Sequence, residues 1–527
     1  MRSSDLLEDL PASGVVFLIA LPLSMGIAIA SGLPPALGLI TAIIGGLVVG
    51  ALGGAPLQIS GPSAGLTVLV LQMHQQHGVE TFGVIVIAAG AAQLASGLLG
   101  FGRHFQAVSP AVIRGMLAGI GILIIVSQFH VMLDSDIPGS GMDNIATIPA
   151  VLWRTITQHN DRLHDEAAMI GVLTLVAVFS WDRFKPAKLK IVPGPLVAAM
   201  LAAALAALLS LPIRYVAVPA NLASLLRLPT TASFSALLEG DVAFAAVALA
   251  FVASAETLLC ASAVARMHDR GRTNYDRELT VHGIANALCG LVGALPLTGV
   301  ISRSTANVQA GARTRWAAVM HALWIAAFVI LLPDLLALVP TSSLAAILVY
   351  IGFKLINPAA VRSLARFGRP VLLIFAATLV GIVAVNLLKG IMFGLVLSAL
   401  RLMYQMSHVH FELEKVAQPL PASERDAAPL PERWDLHMHG SATFLGLPKL
   451  QDVLDNVKAG VELHFHFDEL EFIDHACLDL LTEFRRRHEA AGGKVVVEWD
   501  ELLAMRQKKS VQAEIASPER RSQTGPR

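Results

Sequence analysis

Between residues 11 and 406 the chain alternates long apolar runs with short polar ones. The runs are long enough, or half long enough, to cross the roughly 30 Å hydrocarbon layer of a bilayer. They predict spans at 11–30, 36–52, 82–100, 110–129, 167–181 and 192–211, with a half helix at 63–73, and a second set at 242–264, 279–295, 317–332, 344–356, 371–387 and 390–406, with a half helix at 304–312. That count is seven plus seven. The loops test it independently. Basic clusters at Arg103, at Arg183 to Lys190, at Arg266 to Arg277, at Arg313 and Arg315, and at Lys354 to Arg369 each follow an even-numbered span. By the positive-inside rule both termini are then cytoplasmic, and thirteen spans would break the alternation.

Two polar interruptions stand out. Residues 298–315 read TGVISRSTANVQAGARTR, and residues 57–65 read LQISGPSAG; both are embedded in apolar sequence. The residues leading into them echo one another, GLVVGALGGAPL at 46–57 and GLVGALPL at 290–297. Polar backbone at membrane depth is tolerated only where it lines a cavity or is buried in protein. Paired broken segments at corresponding places in two halves point to an inverted-repeat transporter with its site at the midplane.

After residue 406 the texture changes. Residues 412–433 are polar, carry four prolines and read as a linker. Residues 434–509 read as a small soluble α/β domain, with strands at 434–439, 461–467 and 494–499 and helices at 448–457 and 477–491. The charged tail 510–527 reads as disordered.

Composition agrees with a polytopic membrane protein: of 527 residues 55% are hydrophobic and 15% charged, against about 25% charged in soluble domains, and mean hydropathy is +0.64. With 39 basic and 39 acidic residues, nothing in the balance suggests nucleic acid. Cys260, Cys289 and Cys477 are scattered and form neither a disulfide framework nor a CxxC metal pattern. Acidic Asp5, Glu8 and Asp9 precede the first apolar run, so no cleavable signal is expected. No nucleophile–base or metal-ligand constellation suggests an enzyme.

The chemistry concentrates on a few residues. If the half helices meet tip to tip, their free N–H groups near Ser63, Ala64 and Gly65 and near Ser304, Thr305 and Ala306 point into one cavity. Each tip carries roughly half a positive charge, which suits an anion. Arg303, beside Ser302, would add a fixed cation there; the alternative is a structural ion pair or a snorkelling side chain. Glu256 is an ionisable group inside the apolar run 242–264. Its protonation would remove a negative charge beside the anion, so proton and anion would favour each other's binding; the alternative is a buried pair with Arg303. Sodium is the rival coupling ion. His437, His439, His464 and His466 alternate along two strands and read as solvent-facing polar positions, a metal or pH-sensing cluster being the alternative.

Several stretches resemble one family. LPLSMGIAIASGLPPALGL at 21–39, ISGPSAGLTV at 59–68, PAVIRGMLAGIGILI at 110–124 and the long run from Ala255 to Thr314 are similar to the sulfate permease (SulP) family, and the C-terminal domain resembles its STAS domain. The resemblance implies a seven-plus-seven inverted repeat (repeats about 11–211 and 242–406 within 1–411), core and gate domains, a homodimer in the lipid bilayer of a bacterial inner membrane, and secondary transport of small anions such as sulfate, bicarbonate or dicarboxylates without a cofactor. In sodium-coupled members the position of Glu256 tends to be Asp, with a hydroxyl residue one turn on. Cys260 stands at that turn and is a poor sodium ligand, which favours protons over Na+. Where many animal members have Gln and an aromatic residue in the first span, this chain has Leu23 and Ile27, so that wall is more apolar and bicarbonate becomes comparable with sulfate. In the STAS domain Asp474-His475-Ala476-Cys477 replaces the usual Asp-Ser loop, so phosphorylation there is not expected. That variant resembles members encoded with carbonic anhydrases, and the domain is a candidate for binding a cytoplasmic regulator. Rival readings are a nucleobase permease, a channel-like anion pathway or voltage-responsive motor, and a signalling scaffold that would tolerate loss of Arg303.

Overall fold

The computed structural model describes residues 3–103, 109–135, 141–157, 162–186, 192–217, 226–268, 272–406, 409–416, 432–467 and 470–497. The chain divides into two compact units, Met1–Val396 and Leu397–Arg527. The expected tail and most of the expected linker lie outside the described residues.

The first unit opens with α1 (Ser3–Ala30) and α2 (Pro35–Ile44), the latter continued by a π turn (Gly45–Val49) into α3 (Gly50–Leu52). An extended piece, β1 (Ser60–Pro62), and a short 3-10 turn (Ala64–Leu66) lead into α4 (Thr67–Leu98). Gly78 breaks α4 at φ 75° and ψ 175°, a conformation that glycine adopts without a Cβ penalty. The expected half helix and the span after it are thus the two parts of α4. Next come α5 (Pro110–Met132), α6 (Gly141–Thr157), α7 (Arg162–Phe184), α8 (Gly194–Leu208) and the short α9 (Thr231–Ser235).

The second set repeats the order: α10 (Gly240–Ala265), α11 (Tyr275–Leu291), β2 (Leu297–Gly299), α12 (Ile301–Gln309) and α13 (Trp316–Leu331), a short α14 (Pro333–Leu336), then α15 (Thr341–Ile356), α16 (Pro358–Ala365), α17 (Arg369–Ala384) and α18 (Leu387–Met406). Proline at the first turn starts α2, α5, α8, α14 and α17, where its missing N–H costs nothing. All fourteen expected segments are present. Eight helices among the described residues are long and apolar enough to cross a membrane by themselves. Helix α6 was not expected: the polar stretch 131–166 reads as a loop, yet 141–157 puts apolar residues at helical spacing around Pro149.

Two packing groups result. In one, α4 lies against α10 and α11, and α1 against α2, α12 and α13. In the other, α5 packs on α15 and α17, and α7 on α8 and α15. Glycine governs the closest approach. A Cβ at Gly90 would meet the Gly283 carbonyl at 2.6 Å, and one at Gly290 the Gly83 carbonyl at 2.6 Å, so the backbones of α4 and α11 touch through residues seven apart on each helix.

The second unit contains a five-stranded sheet in which β3 (Val409–Val416), β4 (Arg433–Ala442), β5 (Glu462–His466) and β7 (Lys494–Val496) lie in that order, while β6 (Leu470–Ile473) pairs with β4. Helices α19 (Leu447–Asp455) and α20 (His475–Ala490) pack on its apolar face, against Leu436, Met438, Leu463 and Phe465. Glu412 to Val416, expected to begin the linker, instead belong to β3, whose alternating Phe411 and Leu413 cover the same core. Strand β6 is four residues long and partly outside a clean alternation, so the pattern did not reveal it. Asp474 caps α20 by accepting from the Cys477 N–H at 2.9 Å. Cys477 is buried, its thiol pushed up to about 12 chiefly by burial, so it stays protonated as a core residue.

Candidate functional site

Strands β1 and β2 pair antiparallel where the two broken segments cross, with Ser60 opposite Gly299, Gly61 opposite Thr298 and Pro62 opposite Leu297. Each strand turns directly into a helix start. The antiparallel register sends the two helix starts to opposite ends of the pair, Ser63 beyond the Pro62–Leu297 end and Ile301 beyond the Ser60–Gly299 end. The tips at Ser63–Gly65 and at Ile301–Ser302 therefore flank the crossing instead of meeting tip to tip as expected. They open onto a cavity of about 1080 Å³ bounded by both packing groups.

Glu256 is buried, and its carboxylate lies on this wall. The Ser63 hydroxyl donates to Glu256 Oε2 at 2.8 Å and the Thr298 hydroxyl donates to the same oxygen at 3.1 Å. Ser63 Oγ in turn accepts the Gly65 N–H at 3.1 Å, capping the turn that begins α4. One carboxylate thus joins α10 to both crossing segments.

The other expected residues divide. Leu23, Ser63, Ala64, Gly65 and Ser302 line the cavity together with Glu256. Leu23 continues an apolar stripe of Val15 and Ile19, four residues apart on α1. Ile27, one turn further, is instead buried in the core. Thr305 turns toward Met267, whose sulfur its hydroxyl faces at 3.7 Å.

Three further expectations need correction. Helix α12 begins at Ile301, three residues earlier than the pattern suggested, so the Ser304 N–H is bonded within the helix to the Val300 carbonyl at 2.9 Å and is not a free tip donor. The Ser304 hydroxyl instead accepts from the Ile59 N–H at 2.9 Å and sits 3.6 Å from Cys260 Sγ, so Ser304 and Cys260 fasten the crossing and do not border the cavity. Arg303 is fully buried and lies outside the cavity lining; its Nη2 donates to Ser24 Oγ at 3.0 Å, and it forms no ion pair with Glu256. Helical spacing explains this: Ser302 and Ala306 share the cavity-facing side of α12, and Arg303, Ser304 and Asn307 share the opposite one.

Sequence reading missed two groups. The mouth of the cavity carries Arg114, Lys185, Arg266 and Lys354 against Asp182, a net positive approach supplied largely by the second packing group. Lys354 donates to Asp182 at 2.7 Å, and the Tyr350 hydroxyl donates to the same carboxylate. Behind the site, Glu278, His282 and Asn286 form a buried stripe on α11 at four-residue spacing. Glu278 accepts from Gly54 N at 2.5 Å, Ala55 N at 2.8 Å and Gln58 Nε2 at 3.0 Å; His282 Nε2 lies 3.1 Å from Ser60 Oγ; Asn286 accepts from Leu297 N at 2.7 Å. Polar residues at i, i+4 and i+8 in a spanning helix were the available signal.

Gly65 leaves no room for a side chain, because an added Cβ would land on the Glu256 carboxylate. Gly65→Ala must push that carboxylate off Ser63. Overpacking of this kind costs about 1–3 kcal/mol, a factor of roughly 5–150 when it falls on the working site, and anion uptake into proteoliposomes is expected to fall within that range. Unchanged uptake with normal expression would mean the carboxylate position is not critical.

Such a fold, with two crossing half helices converging on one cavity in an otherwise apolar helical body, defines an inverted-repeat membrane transporter. The chain belongs to the Sulfate permease family, whose sequence profile matches residues 6–378. It is 26% identical to "Putative sulfate transporter YvdB" of Bacillus subtilis (strain 168), over 93% of this chain and 91% of that one. It is 25% identical to the bicarbonate transporter BicA of Picosynechococcus sp. (strain ATCC 27264 / PCC 7002 / PR-6), over 75% of this chain and 69% of that one. Among solved structures, the transmembrane domain of a cyanobacterium BicA superposes with a TM-score of 0.63 at 25% identity, covering 74% of this chain and 98% of that one. Murine Slc26a9 in its inward-facing state shares the fold, with a TM-score of 0.75 at 15% identity over 94% of this chain and 86% of that one. The family consists of transporters, not enzymes.

Proposed function

We propose that this protein is a secondary active transporter of small inorganic oxyanions of the sulfate and bicarbonate class, coupled to protons. The observation that carries the coupling is the bond from Ser63 Oγ to Glu256 at the tip of α4. An ionised Glu256 takes up the hydroxyl donors and the positive helix end that an anion would use. A protonated Glu256 releases them and removes a like charge, so proton and anion enter together. The anion would bind among Ser63, Ala64, Gly65 and Ser302, with Arg303 contributing its field from behind the tip and the basic mouth raising the local anion concentration. The apolar stripe ending at Leu23 offers few donors, which suits singly charged bicarbonate at least as well as sulfate. Transport would proceed by movement of the group containing α1–α4 and α10–α13 against the group containing α5, α7, α8 and α15, in a dimer with both termini cytoplasmic.

Sodium is a second reading with its own support. The Glu256 carboxylate and the Ser63 and Thr298 hydroxyls present three oxygens at one point, the donor set of a hard cation. Uptake of labelled bicarbonate, sulfate and fumarate into proteoliposomes, under an imposed proton or sodium gradient, separates the two. Concentrative uptake of one inorganic anion driven by the proton gradient is expected. Uptake that follows sodium, or that equilibrates whatever the gradient, would sink proton coupling.

A further inference from the structure

The polar face of the sheet in the second unit carries the inference. The helices α19 and α20 pack on the apolar face, leaving the other face to β3, β4 and β5 side chains. The parallel register sets His437 directly opposite His466 and Asp435 opposite His464. The imidazoles of His437 and His466 stack at 4.5 Å and 12°, and His466 Nε2 lies 3.3 Å from Asp435 Oδ2. One ligand atom from each of Asp435, His437 and His466 lies within 4.8 Å of the others. Asp435 is buried, and both histidines are partly exposed at one edge of it.

We propose that Asp435, His437 and His466 form a site for a divalent transition-metal ion, of which zinc is the representative. Two imidazoles and a carboxylate are the donor set that zinc takes in sites with an open position, at about 2.0–2.2 Å from the metal. The ligand atoms lie within 4.8 Å of one another and must close to the roughly 3.4 Å edge of a tetrahedral zinc site, a side-chain rotation on strands whose backbones are already paired. Arg433 holds the same carboxylate through Nε at 2.8 Å and Nη2 at 3.0 Å, orienting it as the outer partner of a metal ligand does. The ion would tie β4 to β5 at the centre of the sheet. Of the five histidines on the face, His439 stacks on His437 at 6.3 Å and His410 and His464 sit to the sides, while His437 and His466 are the closely stacked pair whose ring nitrogens come within reach of the buried Asp435 carboxylate.

The test uses full-length protein in detergent, free of any polyhistidine tag, dialysed against zinc and counted by elemental analysis. One more bound zinc per chain is expected for the parent than for the double variant His437→Ala, His466→Ala. Asp435→Asn should weaken binding by about tenfold or more. His475→Ala, which removes an exposed histidine at the start of α20, should keep full stoichiometry. Equal zinc in parent and double variant, or loss in His475→Ala instead, overturns the site. Should the double variant misfold, cobalt(II) added to the parent decides: intense visible bands of a low-coordinate N/O site support the proposal, and the weak spectrum of the hydrated ion defeats it.

Discussion

Glu256→Gln is expected to abolish concentrative uptake while leaving anion exchange in place. Gln keeps the size and one acceptor oxygen of the side chain, so Ser63 and Thr298 each retain a possible partner and the crossing of β1 with β2 should hold. What it loses is the exchangeable charge. With one proton carried per anion, a gradient of one pH unit is worth about 1.4 kcal/mol and sustains about a tenfold accumulation. The parent should approach that ratio, and Glu256→Gln should settle at a ratio of about one under the same gradient. Exchange of internal for external anion needs no net proton movement and should persist, because the amide resembles the protonated carboxyl. Both arms are read from the same liposomes with a labelled anion. Accumulation surviving in Glu256→Gln would place the coupling group elsewhere, and simultaneous loss of exchange would make Glu256 part of the anion site itself.

The division between what was legible beforehand and what was not follows from the physics of each feature. Spanning segments declare themselves because a bilayer demands a long apolar run, and the two interruptions stood out because polar residues are costly at that depth. Glu256 stood out by that cost, and Ser63 and Gly65 as the start of a half helix in the first interruption. Periodicity did not reveal which face of α12 meets the cavity, since the helix start was misplaced by three residues and each residue turns the face by about 100°. Arg303, expected to add its charge at the tip, lies on the other face of α12 and donates to Ser24. The convergence of Lys354, Tyr350 and Asp182 escaped notice because it depends on how α7 packs against α15, a tertiary fact with no local signature.

Loss of Glu278 should be the most damaging single change to the fold. The helix through α3 ends just before the first crossing segment, and its last carbonyls need partners. Arg277 Nε donates to the Leu52 carbonyl at 2.8 Å, and Arg315 Nη1 donates to the Ala51 carbonyl at 2.8 Å. Glu278 completes the arrangement from the other sign, accepting the next two backbone N–H groups, of Gly54 and Ala55, and the Gln58 amide. Glu278→Ala strands three buried donors at once. Removing one side of a buried charged network costs about 3–5 kcal/mol, which corresponds to a fall of roughly 4–6 °C in the melting temperature of the detergent-solubilised protein. Glu278→Gln should fall between, because its single carbonyl can serve some of the donors while its NH2 group opposes the rest. The consequence for transport follows from position: 54–59 leads straight into β1, and β1 sets Ser63 against Glu256, so Glu278→Gln should retain the fold yet take up anion more slowly than the parent. A melting temperature unchanged in Glu278→Ala would show that water or another group satisfies these donors, and the anchoring of the crossing would then have to reside in His282 and Asn286.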